Sequence, residues 1–136
     1  MMDQMTLSLV LLRDEYVVCK LDVVPSLDWD RPSFLSLTKT ADEISLVCRV
    51  MDIPPVVTAD APGCVVNAPW RCFRIAGTLD FALTGILSRI SAVLAGAGVS
   101  IFAVSTYDTD YILVPSAWCG HAAESLAAAG YAVSVE

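Results

Sequence analysis

The sequence predicts an α+β protein of two small units. The second half reads as a complete βαββαβ unit, and the first half as a strand-rich, degenerate copy of it. Three observations lead to this prediction: strand and helix patterns that alternate after residue 69, a proline-rich stretch near the midpoint, and a partial internal repeat. A chain of 136 residues is long enough for one domain or two small ones without a disulfide or metal to stabilise it.

Four stretches of the second half favour strands, because apolar and β-branched residues cluster there between turn residues. They are Trp70–Ile75, Val99–Val104, Tyr111–Val114 and Tyr131–Val135. The order of these strands and the two helices described next is typical of the ferredoxin-like fold, in which four antiparallel strands carry two helices on one face.

Two helices are expected between these strands. In the first, apolar residues recur at steps of three and four, which places them on one face of a helix. They are Leu83, Ile86, Leu87, Ile90, Val93 and Leu94. Thr84 is the expected N-cap, because its hydroxyl can accept from amides of the first turn. An alanine-rich second helix is expected from Pro115 to Ala129, with Gly130 ending it.

The proline-rich stretch, residues 53–69, contains four of the seven prolines and predicts a linker. We therefore expect an N-terminal unit at residues 1–66 and a C-terminal unit at residues 67–136. Prolines 54 and 55 also exclude a long helix nearby.

The internal repeat supports this division. An offset of half the chain length aligns the segment from residue 34 with the segment from residue 102. The matched pairs are Phe34 with Phe102, Thr38 with Thr106, Asp42 with Asp110, and Ile44 with Ile112. The helices do not repeat, so the N-terminal unit is expected to consist mainly of strands.

Charge excludes several classes of partner. The net charge is −7, which argues against nucleic acid and against an anionic membrane surface, because both need clustered Lys and Arg. The uncharged run Ile90–Tyr107 is interrupted by glycine and serine, so no membrane-spanning helix is expected. No signal peptide is apparent, and a cytoplasmic location is expected.

Five cysteines without a CxxC pair are expected to be reduced packing residues. His121 is the single histidine; a metal shared with Cys119 is an alternative, although no further ligands are evident. No nucleophile–base pair and no glycine-rich phosphate loop occur, so we expect no catalytic residues, no cofactor and no enzymatic activity.

An apolar fraction of 56 % favours a homodimer with an apolar interface.

One polar cluster, Ser105 to Asp110 (STYDTD), lies between two predicted strands. Its first interpretation is a hairpin turn, because Asp and Thr are common turn residues. In βαββαβ order the end of the second strand lies near the start of the first helix, so Ser105–Tyr107 should face Gly85 and Ile86. Helix N-terminal amides favour a carboxylate and Asp110 favours an ammonium, which together suit an amino acid zwitterion. A cation on Asp108 and Asp110 is a third interpretation, with few ligands.

Both halves resemble tandem ACT-domain proteins close to the aspartokinase regulatory module. The residues that carry the resemblance are Thr84–Leu87 (TGIL), Ile101–Val114 (IFAVSTYDTDYILV) and Phe34–Cys48 (FLSLTKTADEISLVC). The same segments are similar to the ACT units of cytosolic arginine sensors. The resemblance extends from about residue 7 to residue 135. It implies ACT-type folds, pairing of modules, and binding of a free amino acid at an interface between ACT units.

Carried over by position, the resemblance implies ligand contacts at the start of the first helix and in the polar cluster. These residues are Gly85, Ile86, Leu87, Ser105, Thr106, Tyr107 and Asp110. The first half lacks the TGIL element and has Thr-Lys-Thr at 38–40, so a site there has less support, although Asp42 persists. We expect a small regulatory or sensor module that binds a free amino acid. The alternative is a structural or protein-interaction module that has the same fold and binds no ligand.

Overall fold

The computed structural model describes residues 7–31, 33–55, 57, 62–76 and 85–136. Ten helices and strands lie in these ranges: β1 Ser8–Leu11, β2 Tyr16–Leu21, β3 Ser36–Lys39, β4 Ile44–Arg49, β5 Cys64–Ile75, α1 Ile86–Gly96, β6 Phe102–Ser105, β7 Asp110–Pro115, α2 Cys119–Ala128 and β8 Ala132–Val135. They form two compact units. The N-terminal unit is Asp14–Trp70, and the C-terminal unit combines residues 7–13 with the described residues from Arg71 onward.

The C-terminal unit has the predicted element order, from the second part of β5 through α1, β6, β7 and α2 to β8. Its strands lie in the order β6-β7-β5-β1-β8. The prediction of a wholly antiparallel sheet is wrong. Strand β1 pairs antiparallel with β5 and parallel with β8, so the sheet is mixed.

Strand β1 comes from the segment that the sequence assigns to the N-terminal unit, yet it lies between β5 and β8. Leu9 faces Ile75 on one side and Val133 on the other. Leu9 and Leu11 are buried and alternate with the half-buried Ser8 and Val10, as in a strand with one covered face. The change of unit occurs inside β5, between Trp70 and Arg71, and not at residues 66 and 67.

The core of the C-terminal unit lies between one face of its sheet and the two helices. The strands contribute alternate residues, and each helix contributes one stripe at steps of three and four. The buried members include Leu9, Leu11, Phe73, Ile75, Ile112 and Val114 from strands, Ile86, Ile90 and Leu94 from α1, and Cys119, Ala122 and Leu126 from α2. The buried residues of α1, Ile86, Ile90 and Leu94, therefore recur at the steps that the sequence predicts.

The helix ends differ from the predictions. Leu83 and Thr84 lie outside the described residues, and Gly85 occupies the N-cap position of α1. The second helix begins at Cys119, four residues later than predicted. Pro115 still belongs to β7, and a 3-10 turn at Ser116–Trp118 leads into the helix. No helix in the described ranges is long and apolar enough to cross a membrane.

The N-terminal unit is an antiparallel sheet in the order β3-β4-β2-β5. Its described residues otherwise include one 3-10 turn, Val50–Asp52, in keeping with the strand-rich composition predicted. One face carries a buried cluster with alternate residues of strands β2 and β4 at its centre. These include Val17, Cys19, Leu21, Ile44, Leu46 and Cys48.

An ion-pair network ties the segment after β4 to a preceding loop. Arg49 donates to both carboxylate oxygens of Asp52, with distances of 2.7 and 3.3 Å, and also pairs with Asp14 at 3.2 Å. Arg31 and the Ser33 hydroxyl reach the same Asp52 carboxylate at 3.0 Å each. The Asp52 side chain is 5 % exposed, so these contacts replace the hydration that its charge loses on folding.

Candidate functional site

The β6–β7 hairpin brings together four of the seven predicted site residues. Ser105 and Asp110 are directly opposed in the strand register. The Ser105 hydroxyl donates to Oδ1 of Asp110 over 2.5 Å. A charge-assisted bond of this kind fixes the carboxylate on the hairpin.

Thr106 and Tyr107 form the turn itself. The Thr106 amide donates to the Thr109 carbonyl oxygen over 2.8 Å, and its hydroxyl donates to the same oxygen over 3.1 Å. The Thr109 amide in turn donates to the Thr106 hydroxyl over 3.3 Å. The Thr106 side chain is therefore part of the turn, whereas Tyr107 is 81 % exposed.

Thr109 is a residue that the sequence reasoning missed. Taken as a whole residue, Thr109 is buried, 8 % exposed. Its hydroxyl donates to the carbonyl oxygen of Ile75 over 2.8 Å. The bond anchors the turn to the end of β5. The sequence does not indicate that Thr109 is buried, because it lies between two aspartates and Thr is an ordinary turn residue.

The other three predicted residues begin helix α1. Gly85 has a φ of +79°, the left-handed conformation that favours glycine. Ile86 is buried and Leu87 packs against the core. Their side chains are thus used in packing, and a ligand would meet the backbone amides of the first turn, which have no acceptor within the helix.

Arg89 is a second residue that the sequence reasoning missed. A Cβ atom added at Gly85 would lie 2.9 Å from the Nη1 atom of Arg89, so the guanidinium lies against the N-terminal end of α1. No acidic residue lies in the first turn and no side chain caps it. This helix end therefore presents positive charge from both the dipole and Arg89.

Among the described residues, no hydrogen bond joins the first turn of α1 to the hairpin. Both are connected to Ile75 by different means. Thr109 binds its carbonyl oxygen, and Ile86 belongs to the same buried cluster as its side chain.

The β3–β4 turn of the N-terminal unit repeats the β6–β7 turn. The Thr40 amide donates to the Glu43 carbonyl oxygen over 2.9 Å, and the Glu43 amide donates to the Thr40 hydroxyl over 3.1 Å. In the register, Lys39 faces Ile44 as Ser105 faces Asp110. Thr40 is thus the counterpart of Thr106.

The pairing of the two turns in the structure differs by two residues from the alignment that the sequence of the two halves predicts. The predicted match of Asp42 with Asp110 is wrong, because Asp42 corresponds to Asp108 and Ile44 takes the place of Asp110. The match of Thr38 with Thr106 is wrong for the same reason. Residue types could not reveal the shift, because Thr recurs at 38 and 40 and Asp at 108 and 110.

The metal interpretations find no support in the described part of the chain, where no group of three or more metal-ligating side chains occurs. Nε2 of His121 lies 3.0 Å from the Ala97 carbonyl oxygen. Four of the five cysteines are buried. Burial raises the pKa of Cys19 to about 11 and the pKa of Cys48 and Cys72 to about 12. Thiols that resist ionisation are poor nucleophiles and metal ligands, which agrees with a packing role.

Family comparisons agree with this geometry. A model of the ACT domain matches residues 65–128, and a second model, of an N-terminal domain, matches residues 14–55. The crystal structure of a protein from Agrobacterium tumefaciens is 33 % identical and covers 96 % of this chain and 94 % of its own, with a TM-score of 0.79. An ACT domain therefore occupies residues 65–128 of the chain. No curated protein matches it significantly.

More distant structures share the fold. A protein of unknown function from Vibrio cholerae is 19 % identical with a TM-score of 0.66, covering 93 % of this chain and 91 % of its own. The regulatory subunit of aspartate kinase from Thermus flavus is 11 % identical with a TM-score of 0.58, covering 91 % of this chain and 96 % of its own.

Proposed function

We propose that the chain is a regulatory module that binds a free amino acid at the β6–β7 hairpin and the first turn of α1. The observation that carries the proposal is the Asp110 carboxylate. It is half-buried, held by the Ser105 hydroxyl at 2.5 Å, and forms no ion pair with any described residue. A ligand ammonium would supply the missing positive charge.

The opposite end of the ligand would meet α1. The α-carboxylate accepts from the amides of Ile86 and Leu87 and pairs with the Arg89 guanidinium. Both groups act in the same direction, because the helix dipole and Arg89 are both positive there. In the proposed site, the hairpin therefore binds the ammonium group of the amino acid, and the first turn of α1 binds its carboxylate.

The site is completed at an interface between ACT units, which we propose is formed by two copies of this chain. The ACT-domain match and the regulatory subunit among the structural neighbours support this proposal. Ligand binding then regulates by favouring one arrangement of the paired modules, which requires a higher affinity for that arrangement.

Thermal unfolding of the full chain with each of the twenty amino acids tests the proposal. A ligand present at 100 times its Kd stabilises the folded state by about 2.7 kcal/mol, which raises Tm by several degrees. A shift that one amino acid produces and its N-acetyl derivative does not would support ammonium recognition. If no amino acid raises Tm, the module is structural or interacts with proteins, as in the alternative given above.

A further inference from the structure

Strand β8 is an edge of the sheet in the C-terminal unit. Among the described residues it pairs only with β1, to which it is parallel. Its sequence, Ala-Val-Ser-Val, is short and contains no charge and no proline. Charged residues and proline are the side chains that discourage an edge strand from pairing with another chain. Strand β3, at the edge of the N-terminal unit, carries Lys39 in this position, whereas β8 has no such residue.

The hydrogen bonds to β1 show which backbone groups of β8 remain at the edge. The amides of Ala132 and Glu136 donate to carbonyl oxygens at either end of β1, over 3.3 and 2.9 Å. Because the backbone groups of successive strand residues point to opposite sides, those of Val133 and Val135 point away from β1. No described strand pairs with that side of β8. Each of the two valines therefore presents a donor and an acceptor at the edge.

The side chains of the same two valines lie on the face that carries the helices. Val133 faces Leu9 in the register and packs partly against the core. Val135 faces Leu11 but is itself 71 % exposed. A further strand on this edge would remove the apolar surface of Val135 from water, which is favourable.

We propose that β8 pairs with β8 of a second copy of this chain, antiparallel and about a two-fold axis at Ser134. Val133 of each copy then faces Val135 of the partner subunit, and each such pair exchanges two N–H···O bonds. The two valine side chains of a pair lie next to each other on the helix face, so that Val133 of one copy covers Val135 of the partner subunit. The edge is thus complementary to itself, as a two-fold contact requires.

Charge does not oppose this contact, although the chain carries a net charge of −7. Glu136 is the acidic residue next to β8. In the proposed register it faces Ala132 of the partner subunit, so the two Glu136 side chains lie at opposite ends of the contact. The Glu136 carboxylate also accepts from the Arg13 amide over 3.2 Å, and no pair of like charges is brought together.

The contact is separate from the interface proposed for amino acid binding. Strand β8 lies at one edge of the C-terminal sheet and β6 at the other. Pairing through β8 therefore does not depend on the β6–β7 hairpin, and it joins dimers formed at the hairpin into a larger assembly. Because β8 has four residues, the contact is small, and we expect it at about hundreds of micromolar chain and above.

Amide hydrogen exchange of the full chain, measured by NMR at about 50 µM and about 1 mM, tests the proposal. The amides of Val133 and Val135 should exchange about threefold more slowly at the higher concentration, because pairing protects them. The amides of Leu37 and Lys39, which point outward from β3, are the internal control and should exchange at the same rate at both concentrations.

Two substitutions at one position separate the backbone contact from side-chain effects. Val135→Pro removes an outward N–H without removing a bond to β1, and the concentration dependence at Val133 should disappear. Val135→Thr keeps the N–H and the shape of the side chain, and the dependence should remain. Circular dichroism verifies that the proline variant folds. If it does not, Val135→Lys, which adds a charge to the edge, should abolish the dependence instead.

The outcomes also separate this contact from the one at the hairpin. Exchange at Val133 and Val135 that is independent of concentration would overturn the pairing, as would an unchanged dependence in a folded Val135→Pro or Val135→Lys variant. Concentration-dependent protection confined to Ala103 and Ser105, which point outward from β6, would overturn the contact at β8 and leave the hairpin interface intact.

Discussion

The hydroxyl of Thr109 donates to the carbonyl oxygen of Ile75 over 2.8 Å, from a position that is 8 % exposed. The two residues belong to different strands or turns far apart in the sequence. Their bond fixes the turn of β6–β7 against the end of β5. The hairpin that presents Asp110 is therefore positioned by the core of the C-terminal unit.

Replacing Thr109 by valine keeps the shape and removes the donor. The Ile75 carbonyl oxygen then stays buried without its partner, which costs about 1–3 kcal/mol of unfolding free energy. Urea unfolding followed by circular dichroism measures the loss. Thr38→Val, at an exposed position of strand β3, is the matched control and should change stability by less than about 0.5 kcal/mol. Equal losses in both variants would contradict the anchoring role.

Replacing Asp110 by asparagine removes the charge and keeps an acceptor for Ser105. Stability should change little, because the Asn oxygen can still accept the Ser105 hydroxyl. Amino acid affinity should fall about 10- to 150-fold, since a charge-assisted contact contributes about 1.5–3 kcal/mol. Isothermal titration calorimetry measures the Kd.

Asp108→Asn is the matched control for that experiment. It removes the same charge from the same turn, at an exposed residue for which the described contacts include no bond to Ser105. Its effect on Kd should be smaller. Equal losses would indicate a general electrostatic effect, and no loss at Asp110 would leave the cluster an ordinary hairpin turn.

Replacing Gly85 by alanine should destabilise the chain by about 1–2 kcal/mol, because an L-residue strains the left-handed conformation at φ +79°. The added methyl group would also displace the Arg89 guanidinium, 2.9 Å away. Gly96→Ala is the control, since nothing lies within 4 Å of a Cβ atom there and alanine favours a helix. That variant should be as stable as the wild type or more stable. Thermal unfolding distinguishes the two.

The parts of the fold that follow from local pattern could be predicted. The period of Ile86, Ile90 and Leu94 predicts α1 because a helix buries every third or fourth residue. The elements of the C-terminal unit appear in the predicted order for the same reason. Strand β1 could not be placed, because its pairing with β5 and β8 joins residues from opposite ends of the chain.

The candidate site was predictable as a cluster of residues but not as geometry. Ser105 to Asp110 was recognisable as a polar turn between strands. The roles of Thr109 and Arg89 depend on contacts with Ile75 and Gly85 that no spacing rule encodes. The register of the repeat was missed because hydrogen bonds define it, while the alternation of Thr and Asp conceals a shift of two residues.

Self-association is expected from the proposed interface between ACT units. Sedimentation velocity at tens of micromolar should give twice the mass of the chain, because symmetric dimers are the commonest closed assembly. Tyr107, 81 % exposed on the hairpin, offers a probe, and Tyr107→Glu should weaken association if the hairpin lies at the interface. A monomer both with and without amino acids would contradict the expected dimer.

Replacing Asp52 by asparagine tests the ion-pair network of the N-terminal unit. The hydrogen bond from Arg49 lowers the pKa of Asp52 below its ordinary value of 3.8, and Ser33 and Arg31 add to the effect against the opposing cost of burial. The folded state thus holds the Asp52 proton more weakly than the unfolded state. The resulting stability is present above about pH 4 and is lost as the pH falls through the lower, folded pKa.

At pH 7 the free energy of unfolding of the Asp52→Asn variant should therefore be about 1–3 kcal/mol lower than that of the wild type. The difference should shrink as the pH falls below 4, because the wild type loses the same contribution on protonation. Asp14→Asn is the control: its carboxylate is 33 % exposed and has one partner at 3.2 Å, so the loss should stay below about 1 kcal/mol. Urea unfolding at a series of pH values measures both, and a pH-independent difference at Asp52 would show that packing rather than charge accounts for it.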